Sequence, residues 1–437
     1  MLYLNNINLY NPLILIKNNE NDQSGKILNL KYKYNYSHDV VDFKNRNTVS
    51  FSGQKLSKAL EYIQEVKNRY EAKGFKPNSF DDFNLYKLDG LLEGTVFDGI
   101  SMEDFSSLCS SIENIILIRG CSNGCIHCLA SAKPFKQGVT GEVGTIIWED
   151  FKNLTDSINE IQKRLEFNPF GKYKKEFLPF HDSDPMSLKS YDNTGNPHNI
   201  TEAVKYFYDK TEMPFHITTA GWDKEEGWVQ KAAEELVENT LKISDSITAV
   251  MISVHPFHKY MSKSIEFEKA SKKVENIGKK DLLEEKSQQY RQKYVDRMAN
   301  VLKTFLPLFK ENKASINLLY APYHTNKSEY NPEVSIQLFK EIFDKLKKIC
   351  KPEEFSNQDK QNFLNNWVKI NQIAANGRAK IFFNQSEILN QQNFYVNKEV
   401  SIDVNGEVIR IISPQYMYLP TGIRLNYTTK GKNSHLT

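Results

Sequence analysis

The stretch that decides the fold is Ile115-Ile116-Leu117-Ile118-Arg119-Gly120-Cys121-Ser122-Asn123-Gly124-Cys125-Ile126-His127-Cys128. Its first part is a short run of apolar, mostly branched residues, the composition of a buried strand. Its second part places three thiols, Cys121, Cys125 and Cys128, within eight positions directly after that strand. Gly124 suits the tight backbone path of such a loop. Thiolates at this C-x3-C-x2-C spacing can each bind a different iron of one 4Fe–4S cubane and leave a fourth iron open. Two further cysteines, Cys109 and Cys350, are both remote in sequence, so no fourth ligand stands nearby. The alternative is a non-catalytic zinc-binding module using the three cysteines and His127. His127 directly precedes Cys128, which makes shared tetrahedral ligation awkward, and a second cysteine pair is missing.

Outward from this loop, short apolar runs alternate with helical stretches. Strands are expected at Ile115–Arg119, Phe177–Phe180, Phe215–Thr219, Ala249–Val254 and Ser315–Tyr320, with Lys380–Asn384 as a sixth. Helices are expected over Trp148–Leu165, Glu202–Asp209, Glu225–Leu241 and Glu333–Cys350, with a long charged helical region ending near Lys310. This alternation predicts an α/β fold of parallel strands with crossover helices, curved into a partial (β/α)6 TIM-like barrel. The core is expected over 111–350. An N-terminal accessory region, 1–110, carries one amphipathic helix from Gln54 to Lys73. A C-terminal α+β extension, 351–437, carries a hairpin signal, Asn405-Gly406, between Ser401–Val404 and Glu407–Ile411. The Lys- and Glu-rich segment from Ser262 to Tyr294 reads as a solvated helical face.

Composition narrows the functional class. The 437 residues are 40% hydrophobic and 25% charged, with a net charge of +3. That balance suits a soluble globular protein and carries no footprint of a dedicated nucleic-acid binder. No run approaches the ~20 apolar residues of a membrane span. Met1 to Asn18 lacks a basic start and a small-residue cleavage site, so no secretory signal is expected. Five cysteines with three crowded together fit a reducing, cytoplasmic setting in which thiols serve as metal ligands.

The cysteine loop after the first strand of a βα series resembles the signature loop of the radical S-adenosylmethionine (SAM) superfamily. The resemblance covers about Glu113–Cys350. It implies that the open iron chelates the amino and carboxylate groups of SAM, and that an electron from the cluster cleaves SAM to a 5′-deoxyadenosyl radical. It also implies a reducing partner such as flavodoxin or ferredoxin. His127 takes the place of the ring that lies beside the adenine in that family. Phe180-His181-Asp182-Ser183-Asp184-Pro185-Met186 resembles the family's Gly-Gly-Glu-Pro-like stretch, with Asp184 for the acid and Asp182-Ser183 for the glycines. By that likeness Asp184, with Asp182 and Ser183, binds the SAM amine; a plain Asp-rich turn is the other reading. Thr218 and Thr219 end the third strand where the family contacts SAM, although β-branched residues also simply suit a strand. Ser253 is the expected SAM contact on the fourth strand, and Asn317 on the fifth lies below the adenine. His255 and His258 face substrate or are packed histidines. All these groups fall at carboxyl ends of strands, where parallel-strand folds bind ligands.

Asn376-Gly377-Arg378-Ala379 resembles a stretch that follows the barrel in peptide-modifying members of the superfamily. The segment Lys351–Thr437 holds no cysteine, so a single cluster is expected. Cys350 reads as a buried thiol or as a hydrogen-atom donor. The expected activity is hydrogen abstraction from a peptide, with a small-molecule metabolite as the alternative; the near-neutral charge weighs against an RNA substrate, and no nucleic-acid partner is expected.

Overall fold

The computed structural model describes residues 90–126, 128, 132, 144–165, 168–170, 176–180, 183–223, 226–321, 330–372, 395–413 and 417–427. The chain divides into two compact units, Met1–Val49 and Ser50–Thr437, and every described residue belongs to the second. The expected helix from Gln54 to Lys73, the expected strand at Lys380–Asn384, the Gly-Arg-Ala stretch, His127 and Asp182 lie outside the described residues.

Alternating apolar runs and amphipathic helices produce, in order, α1 (Met102–Ser111), β1 (Ile112–Ile115), α2 (Trp148–Leu165), α3 (Ile200–Thr211), β2 (Phe215–Thr219), α4 (Gly227–Lys242), β3 (Ile247–Val254), α5 (Lys259–Ser271), α6 (Lys280–Lys310), β4 (Ala314–Tyr320), α7 (Pro332–Ile349), α8 (Asn357–Asn365), β5 (Val368–Gln372), β6 (Tyr395–Ile402), β7 (Glu407–Ser413) and β8 (Met417–Arg424). Local sequence sets the helix starts. Asn199 accepts from the Glu202 N–H while Glu202 reaches back to the Asn199 N–H, a capping box that starts α3. Ser101 and Asn331 cap α1 and α7 in the same sense.

Strands β2, β3, β4 and β5 form one parallel sheet in that order. Single parallel bridges, Phe177 to Phe215 and Asn114 to Leu178, carry the array on to the 176–180 segment and to β1. Beyond β1 the chain stays extended: Leu117 N–H donates to Pro179 O, and Gly120 bridges Ser183. Six consecutive chain segments therefore run parallel, each beside its sequence neighbour. The sixth is Val368–Gln372, a short stretch that sequence reading left unassigned.

Side chains alternate across these strands, and the alternation decides what each face does. Ile217, Val250, Ile252, Ile316 and Leu318 are fully or almost fully buried on the helix side. There they meet the buried stripe of α6, which includes Met298, Leu302 and Phe305. The opposite face carries Thr218, Met251, Ser253, Ser315 and Asn317, all partly exposed. These sit side by side in register: Thr218 with Met251, Met251 with Ser315, Ser253 with Asn317, and Asn317 with Lys369. A parallel sheet covered on both faces reads as continuous apolar runs. This one keeps a polar layer on its second face.

The flanking segments belong to the same packing. Leu91, Phe97 and Phe105 join the main core cluster, as do Val400 and Val408. Strand β6 pairs parallel with β1 and then antiparallel with β7, which pairs with β8. Among the described residues, Leu91–Phe105 and strands β6 and β7 thus contribute to the same core as the parallel array. The Asn405-Gly406 signal does mark a hairpin, with a different turn. Gly406 N–H donates to Asp403 O, Asp403 N–H donates to Glu407 O, and Gly406 sits at φ 75°. A turn followed by a left-handed glycine gives a three-residue loop rather than a two-residue one.

The charged region before Lys310 resolves into α5 and α6, joined by a short 3₁₀ stretch at Val274–Lys279. Pairs such as Lys272–Glu268 and Lys280–Glu284 lace its exposed faces. Among the described residues no helix is long and apolar enough to cross a membrane.

Candidate cysteine-loop site

The loop after β1 lies at the carboxyl end of the parallel array. Gly124 takes φ 60°, a left-handed conformation that favours glycine, and its α-carbon faces the Lys259 side chain. Lys259 Nζ donates to the Ser122 carbonyl at 3.0 Å. The Ile126 N–H donates to Phe257 O, which ties the loop to the segment following β3.

The loop is held at its middle by a buried polar network. Asn123 Nδ2 donates to Asp184 Oδ2 at 2.9 Å. The same oxygen accepts from Thr219 Oγ1 and from Ala220 N, each at 2.9 Å, and Asp184 Oδ1 accepts from Met186 N at 3.1 Å. On the other side, Asn123 Oδ1 accepts from Arg297 Nη2, which also donates to Gly221 O. Arg297 Nη1 pairs with Asp223 Oδ1 at 2.7 Å, and the Tyr260 hydroxyl donates to Asp223 Oδ2. Arg297, Asn123 and Asp184 are only 4%, 2% and 4% exposed. Burying a charge is costly unless it is paired and hydrogen-bonded; the terminal nitrogens of Arg297 meet both conditions through Asp223, Asn123 and Gly221, whereas Asp184 is held by hydrogen bonds without an ion pair.

The electrostatics follow from that burial. Burial pushes the Asp184 carboxyl up to about 6, against the opposing pull of the Ala220 N–H, Thr219, the Met186 N–H and Arg297. Burial also works against ionised Asp223, but the Tyr260 hydroxyl and the Arg297 guanidinium outweigh it and hold this carboxyl below its ordinary value. His255 is pushed down to about 3, chiefly by burial, so its imidazole is neutral near pH 7.

The sequence-predicted residues divide accordingly. Cys125 is buried, and its Sγ lies 3.9 Å from His255 Nε2. Cys128 Sγ accepts from Ala132 N at 3.2 Å, and Cys121 is partly exposed. Asp184 and Thr219 come together, but on each other and on the loop, not on open space. Thr218 points the other way, onto the polar face with Ser253 and Asn317. Asn317 Oδ1 accepts from Asn371 Nδ2 at 2.6 Å. Ser183 Oγ is buried and meets no hydrogen-bond partner among the described residues. His258 is a packed histidine: its ring nitrogen caps α5 through the Tyr260 N–H, and its ring lies against Tyr260 and Tyr294. Cys350 closes α7, beside Lys303, which donates to Ile349 O. A helix that returns along its strand ends at the strand's amino edge, so Cys350 stands away from the loop, and burial raises its thiol pKa.

Sequence reading missed Asn123, Arg297, Asp223 and Tyr260. A signal existed for Arg297. It interrupts the apolar stripe Tyr294, Met298, Val301, Leu302, Phe305 at helical spacing, where a cation must find a buried partner.

Among the described residues, no three His, Cys, Asp or Glu side chains converge in a way that could hold a single metal ion. In donor chemistry the loop fits an iron–sulfur cluster: three thiols on one loop, with the Ala132 N–H directed at the Cys128 sulfur and a ring nitrogen of His255 beside that of Cys125. The chain matches no protein-family model and no curated protein.

Proposed function

We propose that the chain is a radical SAM enzyme that holds one 4Fe–4S cluster through Cys121, Cys125 and Cys128. The observation that carries this reading is the placement of the three-cysteine loop. It leaves the first of six parallel segments at the carboxyl end and is tied to the ends of the second and third through Asn123, Asp184 and Thr219. Thiolates of a cubane bind different irons, so they need not converge on one point as ligands of a single ion do. The six segments form a partial TIM-like barrel, and the polar face with Thr218, Ser253 and Asn317 lines its interior. SAM binds there, above that polar layer and beside the loop.

When bound, the cluster supplies the electron that splits SAM into methionine and a 5′-deoxyadenosyl radical, which takes a hydrogen atom from an organic substrate. The protein's own part is to hold the thiols, orient SAM and exclude water. The substrate class favoured by the Gly-Arg-Ala stretch is a peptide, and a flavodoxin- or ferredoxin-like protein supplies the electron. Anaerobic reconstitution with iron, sulfide and reductant tests the reading. It predicts about four irons and four sulfides per chain, lost when the three cysteines are replaced by Ala. One zinc per chain with no sulfide would overturn it.

A further inference from the structure

The Asp184 carboxylate carries an anomaly for a ligand-binding acid. Its Oδ2 already accepts three hydrogen bonds and its Oδ1 one, all from the protein. The Asn123 amide is equally committed. Its nitrogen donates to Asp184 and its oxygen accepts from Arg297. Asn123 sits midway between Cys121 and Cys125 in the loop, and Arg297 reaches the loop through this amide, with its other hydrogen bonds going to Asp223 and Gly221. Gly221 makes that reach possible. At φ 83° it presents its carbonyl to Arg297, and a β-carbon there would come within 3.0 Å of Val301 and 3.2 Å of the Met298 sulfur.

We propose that Arg297 and Asp184 are positioning residues that clamp Asn123 and thereby fix the cysteine loop before any cluster binds. Arg297 enters from α6, Asp184 from the turn after the second parallel segment, and the two grip opposite ends of one amide. A guanidinium fork suits this task because its two terminal nitrogens reach Asp223, Asn123 and Gly221 together; a lysine ammonium has no such fork. The role of Asp184 is then to order the loop rather than to bind the SAM amine. The inference rests on the cluster reading only for its purpose, since the clamp itself concerns the protein chain alone.

The test uses the full chain without metal. Wild type, Asn123→Ala and Arg297→Lys are alkylated under reducing, anaerobic conditions, and modification of each cysteine is followed by mass spectrometry. Buried Cys109 reports global opening and half-buried Cys350 reports general exposure. The clamp predicts that Cys125 and its loop neighbours react about tenfold faster or more in both variants, while Cys109 and Cys350 keep their wild-type rates. Unchanged loop rates in a variant that keeps Cys109 protected would overturn it, and so would acceleration at all five cysteines together in both variants. The same proteins are then reconstituted, and the electron paramagnetic resonance spectrum of the reduced cluster is recorded. A broadened signal in Arg297→Lys, at unchanged thermal midpoint, is the spectroscopic counterpart of a loosened loop, and a wild-type line shape counts against the clamp. If wild type takes up no cluster yet the loop thiols respond as predicted, the cluster reading fails and the clamp stands. If wild type binds a cluster and the thiol rates do not move, the reverse holds.

Discussion

Arg297 Nη2 donates to Asn123 Oδ1 across 174 positions of sequence, so one helix residue in the second half of the chain holds the middle of the cysteine loop. The contact explains why a buried arginine interrupts the apolar stripe of α6. Its other bonds, to Asp223 and the Gly221 carbonyl, make the guanidinium a junction between the loop and the end of β2.

Gly221 should tolerate no side chain. A β-carbon would crowd Val301 and Met298, and φ 83° is strained for any other residue. Gly221→Ala is expected to cost about 1–3 kcal/mol in urea unfolding, with increased alkylation of Cys125. A variant as stable as wild type would show that α6 does not pack as closely as described.

Asp184 gives the fold a pH signature. The folded carboxyl titrates near 6 and the unfolded one near 3.8. Between those values the folded chain holds the proton more tightly, so this group's contribution to stability is full below about pH 4 and declines as pH rises to about 6. Urea unfolding of wild type and Asp184→Asn across that window checks the sign. The stability difference between them should shift in favour of the Asn variant as pH rises, then level off above pH 6. A difference moving the other way would contradict the burial-dominated account.

His255 should tune the cluster rather than the substrate. With Nε2 protonated, the neutral imidazole donates toward Cys125 Sγ, 3.9 Å away. Hydrogen bonds to cluster sulfurs favour the reduced, more negative state. His255→Phe is expected to lower the midpoint potential by on the order of 50 mV in a redox titration. An unchanged or raised potential would remove His255 from this role.

Gly406 should be equally intolerant. A β-carbon there would lie 2.9 Å from the Tyr427 ring, at a backbone φ of 75°. Gly406→Ala is expected to destabilise by about 1–3 kcal/mol. The loss should appear as faster amide exchange in β6 and β7, and unaltered exchange there would count against the three-residue turn.

The strands that read clearly from sequence are those with apolar residues at alternate positions, such as Phe215–Thr219 and Ser315–Tyr320, because their helix-side faces must be buried. Val368–Gln372 escaped because it is short and Ile370 is 53% exposed, so it lacks an apolar run. Its pairing comes from the free edge of β4, a tertiary effect. The site was legible as a set of residue types at strand ends, and the cysteine loop, Asp184 and Thr219 do meet there. Their use of one another was not legible, because an Asn123 amide that donates to Asp184 and accepts from Arg297 depends on three elements converging. Thr218 and Thr219 were read together, yet strand alternation sends them to opposite faces. Cys350 was attractive only as a thiol, and helix direction carries it to the other end of the sheet.

The most direct test of the central claim is the yield of 5′-deoxyadenosine from anaerobically reconstituted protein given SAM and a low-potential reductant. The account predicts its formation by wild type, its loss when Cys121, Cys125 and Cys128 are replaced by Ala, and a reduced yield in Arg297→Lys. A fully reconstituted wild-type protein that forms none, or a triple variant that forms as much, would contradict it.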